Sequence, residues 1–175
     1  MAQGTFLFLG DDFIADFSWQ KRMHHFEVHS YGVKDERVDG LLNRLSGIEA
    51  ASPIPDIILI MTGINNVIDG DYTFVDQIRR MVIRLTNRYP ETEIIVNSLP
   101  NINVPFLVKD AIRHLNISIN EMTMQTGCCY LDNFDQLAES GADIFQKNGI
   151  HLTDLTYDKW ARSFLEYVAF LLEDD

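Results

Sequence analysis

The chain has 175 residues, 46% of them apolar, with 14 basic and 26 acidic side chains and a formal net charge of -12. That length fits a single domain over residues 1–175, able to bury a core without a disulfide or metal staple, and the apolar share excludes a disordered chain. The acid excess and the absence of a Lys/Arg run argue against nucleic acid and against an anionic membrane as partners.

In chain order, the opening MAQGTFLFLGDDF lacks a basic leader and a small-residue cleavage site, so it reads as part of the fold rather than as a signal peptide. Residues 5–10 within it predict a first strand, closed by Gly10-Asp11-Asp12. Residues 26–30 predict a second, closed by Ser30-Tyr31-Gly32, and the spacing of apolar residues over 36–45 predicts a helix. The third strand, 56–61, contains the longest apolar run, Ile57 to Met61, which is far too short to span a membrane. Thr62-Gly63-Ile64-Asn65-Asn66 follows it. Val75, Ile78, Val82 and Leu85 mark a helix over 74–88, and residues 93–98 predict a fourth strand. A helix over 109–125 leads to a fifth strand, 128–132, holding Cys128 and Cys129. Adjacent cysteines pair only with strain, so two core thiols in a reducing cytoplasm are expected. Asn148-Gly149-Ile150-His151-Leu152 precedes a last helix over 153–172, whose apolar face carries Tyr157, Trp160, Phe164 and Val168.

Strands alternating with helices, and strands apolar throughout, imply an α/β fold in three layers, α/β/α, with a five-stranded parallel sheet of order 2-1-3-4-5. Ligands of such sheets bind beyond the carboxyl ends of the strands. Four polar or glycine-bearing segments fall there or just before the last helix.

Those segments resemble the motifs of the SGNH (GDSL-type) hydrolase family, which carries G-D-S after strand one, a glycine after strand two, G-x-N-D after strand three and D-x-x-H before the last helix. Here the matching positions read G-D-D, Gly32, G-I-N-N and N-G-I-H, and the flanks GVKDERVDGLLNRL and HLTDLTYDKWA are similar to the family's own. The resemblance implies hydrolysis of ester bonds in a small-molecule, ester-like substrate, with no cofactor and no metal. It places Asp12 where the family keeps its nucleophilic serine, His151 as the general base and Asn148 where an aspartate orients that base. It also implies an oxyanion hole built from the Asp12 N–H, the Gly32 N–H and the Asn65 side chain.

Two of these positions depart from the pattern, since Asp12 replaces serine and Asn148 replaces aspartate; Asn66 also replaces the usual acid of the third motif. Loss of a triad serine costs on the order of 10^6-fold in turnover, and loss of the orienting acid about 10^4-fold. Ordinary serine-esterase activity is therefore expected to be lost or altered, leaving a binding protein that uses the same cleft as the alternative. Asp12 also admits other roles: a helix N-cap, a carboxylate nucleophile for alkyl or phosphoryl transfer, or a metal ligand beside Asp11 and His151. His24, His25 and His29 match no standard metal spacing and read as surface residues.

Overall fold

The computed structural model describes residues 3–139 and 143–173. Its strands are β1 (Thr5–Gly10), β2 (Glu27–Gly32), β3 (Ile57–Met61), β4 (Glu93–Asn97) and β5 (Cys129–Leu131). All pair in parallel, in the order β2-β1-β3-β4-β5, as the alternation of strand and helix implies. Every residue of β3 is buried, because the sheet is covered on both faces and a central strand has no solvent side.

The helices are α1 (Asp12–Ala15), α2 (Trp19–Arg22), α3 (Val38–Ala51), α4 (Ile64–Ile68), α5 (Val75–Arg88), α6 (Ala111–Thr126), α7 (Phe134–Glu139) and α8 (Asp154–Glu173). α3 packs on α5 and α5 on α6, whereas α2 and α7 pack on α8. Phe6 and Phe8, two apart on β1, point to the same face and meet Phe164 of α8 edge-on, with centroids 5.6 and 5.1 Å away. Trp19 and Trp160 extend this aromatic layer at 4.8 Å, and each indole N–H is satisfied: Trp19 donates to Ile14 O and Trp160 to Asn97 Oδ1.

Most boundaries shift from expectation by one or two residues, and two elements shift for a visible reason. β2 continues through Gly32, because Tyr31 and Gly32 still pair with Leu9 and Gly10 of the neighbouring strand. The next helix starts at Val38 instead of residue 36 and runs on to Ala51. Arg37 explains the late start: its backbone is extended, at φ -89° and ψ 164°, so it stands as the N-cap and the helix begins after it. Among the described residues no helix is long and apolar enough to cross a membrane. Cys128 and Cys129 are free and half-buried.

Candidate active site

β1 runs straight into α1, and Asp11 is the residue at the junction. Its carboxylate caps the helix by accepting from Phe13 N–H (3.2 Å), and it reaches across to Gly63 N–H at the end of β3 (3.2 Å). The N-cap role considered for Asp12 therefore belongs to Asp11. Burial pushes the Asp11 carboxyl up to about 7, against the downward pull of those N–H donors. Fully buried and held in this way, Asp11 is not free to join His151 around a metal ion.

Asp12, half-buried in the first turn of α1, has its Oδ2 held by two donors. Asn65 Nδ2, from the start of α4, donates at 2.8 Å, and the main-chain N–H of Asp35 donates at 2.9 Å. The second hydrogen of Asn65 Nδ2 goes to Glu36 O at 3.0 Å, which fixes the orientation of the amide. Among the described residues, no donor goes to Asp12 Oδ1.

His151 comes to this edge on the loop before α8. Gly149 N–H donates to Gln146 O, and its carbonyl accepts from Asn103 N–H at 2.9 Å. Gly149 sits at a φ of 72°, and a Cβ there would run into Asn103 O, so only glycine fits this turn. Asn148 Oδ1 accepts from the N–H groups of Ile150 and His151, each at 3.0 Å. The amide nitrogen then faces the ring, and Asn148 Nδ2 donates to His151 Nδ1. An acceptor Nδ1 carries no proton, so the neutral imidazole keeps its hydrogen on Nε2. An aspartate at position 148 would impose the opposite tautomer, because a carboxylate only accepts.

Asp12, Asn65 and His151 line one cleft of about 260 Å³ with the apolar side chains of Ile64, Ile68 and Ile150. A carboxylate oxygen of Asp12, one of Asp16 and a ring nitrogen of His151 lie within 4.8 Å of one another. These three could approach a cation. The chemistry of the set fits one poorly, since Lys34 Nζ already neutralises Asp16 at 2.7 Å and the tautomer set by Asn148 puts a proton on the free ring nitrogen.

Gly32 is not among the residues that line this cleft. It ends β2 with α1 lying on it, and a Cβ there would collide with the main chain of Ile14 and Ala15. The main-chain donor facing Asp12 comes from Asp35, three residues on. Asn66 is fully buried and works inside the fold: its Oδ1 accepts from Val38 N–H at 2.9 Å, and its Nδ2 donates to Asp71 at 2.8 Å. His24 and His25 are exposed neighbours, and His29 pairs with Glu27.

A parallel α/β/α sheet that gathers a carboxylate, a side-chain amide and a histidine in one cleft beyond its carboxyl edge places them where proteins of this α/β class bind their ligands. The chain belongs to the GDSL-like lipase/acylhydrolase family, whose sequence profile matches residues 8–159. No curated protein matches the chain. Among solved structures, the lipase/acylhydrolase from Enterococcus faecalis is 16% identical with a TM-score of 0.79, the similarity covering 96% of this chain and 95% of that one. The psychrotrophic esterase EstA from Pseudoalteromonas sp. is 16% identical with a TM-score of 0.78, over 97% and 98% of the two chains. Axe2, an acetylxylan esterase from Geobacillus stearothermophilus, is 17% identical with a TM-score of 0.74, over 94% of each. At these identities the likeness is one of fold.

Proposed function

We propose that this chain is a GDSL-family protein in which serine-type ester hydrolysis has been lost, and that its cleft holds a small molecule without turning it over as an ester. One observation carries the reading. Asp12 Oδ2 already occupies the two donors, Asn65 Nδ2 and Asp35 N–H, that would otherwise meet a developing oxyanion. A negative oxygen sits where negative charge would have to form.

The second support is His151. A base must present a lone pair to the nucleophile's proton, but with Nδ1 accepting from Asn148 the ring presents an N–H toward the cleft. Attack by Asp12 on an acyl carbon would in any case give an anhydride, which returns readily to reactants.

Hydrolysis of 4-nitrophenyl acetate tests the reading. The parent and Asp12→Ser should both stay near background, since the single variant restores a hydroxyl but not its base. Asp12→Ser/Asn148→Asp restores the nucleophile, the open donors and the ring tautomer, and should exceed the parent by about 10^2- to 10^4-fold. Parent turnover abolished by His151→Ala and untouched by Asp12→Ala would overturn it.

A further inference from the structure

We infer that Asp12 is a carboxylate nucleophile toward alkyl electrophiles, and that the cleft captures an alkyl group as a lasting ester on Asp12 Oδ1. The inference rests on the proposed loss of ester hydrolysis and names the chemistry the cleft retains. Two donors grip Oδ2, so the carboxylate is fixed in one orientation, with Oδ1 left to the cleft that Asp12 lines. A carboxylate fixed in this way needs little reorganisation to reach an in-line approach of about 3–3.5 Å. Ile64, Ile68 and Ile150 offer an apolar wall to the alkyl chain.

The choice between alkyl and phosphoryl donors rests on charge. Asp35 also lines the cleft beside Asp12, whereas Asp69 and Asp16 are paired with Arg37 and Lys34, so a phosphoryl group would approach against the charges of Asp12 and Asp35. A neutral alkyl halide meets no such opposition as it enters, and the charge it releases as halide is one that Asp12 gives up. In the step itself, a lone pair on Asp12 Oδ1 forms an O–C bond while the carbon–halogen bond breaks and its electron pair leaves with the halide. One negative charge passes from carboxylate to halide, and no proton is needed. The N–H that His151 presents can donate a hydrogen bond to the departing halide.

Asn148 determines the fate of that ester. Release would require water to add at the Asp12 carbonyl carbon, giving a tetrahedral oxyanion on Oδ2 between Asn65 and Asp35, and then loss of the alcohol. The donors for that oxyanion are in place. The base that would take the water's proton is missing, because the exposed ring nitrogen of His151 is already protonated. The ester persists, and the parent performs one capture per chain.

The test uses the whole chain and 1-bromopropane near neutral pH, with peptide mass spectrometry after digestion in acid to preserve the ester. A propyl group should appear on Asp12 at least about a hundred times faster than on Asp16, the exposed acid beside it, and hydroxylamine should remove it. Asp12→Asn, close in shape to the parent side chain, should abolish the label at that position while labelling of cysteine peptides continues. In Asn148→Asp the label should turn over, releasing propanol and placing oxygen from labelled water in the Asp12 carboxylate. Equal labelling of Asp12 and surface acids would overturn the inference, and an equally persistent label in Asn148→Asp would overturn the part given to Asn148. If labelling fails while the parent stays silent toward nitrophenyl acetate, this inference falls alone; parent ester turnover would remove the reading beneath it.

Discussion

Asp11 and Asp71 are two carboxyls of one chain whose surroundings drive their ionisation apart. Burial lifts Asp11 to about 7, whereas the Asn66 amide and the Thr73 donors bring Asp71 down to about 2. Asp11 binds its proton more tightly folded than unfolded, where the ordinary value is 3.8. Its contribution to stability is therefore full below that value and is lost as pH rises through about 7. Asp71 works in the other direction: its contribution is present above 3.8 and fades as pH falls toward 2. Urea unfolding of the parent should show a lower midpoint at about pH 8 than at about pH 5, and Asp11→Asn should flatten that difference. A variant as pH-sensitive as the parent would place the effect elsewhere. At this scale the side chains of the site were legible in the sequence, because Asp12, Asn65, Asn148 and His151 each stand at a strand end or loop in recognisable order. Asp35 was not. It contributes a main-chain N–H, which no side chain encodes, and its left-handed φ is carried by an aspartate where a glycine would have signalled the turn.

Long elements were readable because periodicity needs length to show itself. α5 and α8, at 14 and 20 residues, declare their apolar faces several times over, while α2, α4 and α7 have only 4, 5 and 6 residues. The short α4 nevertheless organises the site, since Asn65 reaches Asp12 and the next residue, Asn66, turns inward to hold α3. Val38 N–H, at the start of α3, would have no helical partner and finds Asn66 Oδ1 instead. Asn66→Ala would leave that buried N–H unsatisfied and strip a donor from Asp71. We expect a loss of about 2 kcal/mol in urea unfolding, with the secondary-structure signal retained. A loss below about 0.5 kcal/mol would show that water replaces the amide there. Asn66→Asp should recover less than the parent, because it sets a second carboxylate against Asp71.

Across the whole molecule two electrostatic effects oppose each other, and magnitudes decide between them. Ion pairs such as Arg22–Asp158 at 3.1 Å and Arg80–Asp76 at 3.1 Å are exposed, and each is worth about 0–1 kcal/mol, less as salt is added. Against them stands a net charge of -12, whose self-repulsion acts on every unpaired acid and disfavours the compact state. Two tighter pairs, Arg44–Glu36 at 2.7 Å and Arg84–Glu49, keep their carboxylates largely out of solvent, so screening reaches them weakly. Salt thus weakens interactions that were small and relieves one that is summed over the chain. Raising sodium chloride from about 0.01 M to about 0.15 M shortens the Debye length from about 30 Å to about 8 Å, which is shorter than the molecule is wide. The Tm should rise by a few degrees over that range. It should rise less in a variant with Asp16, Asp35 and Asp69 changed to Asn, because three negative charges fewer leave less self-repulsion for salt to relieve. A Tm that falls with salt would mean that the ion pairs outweigh the net charge.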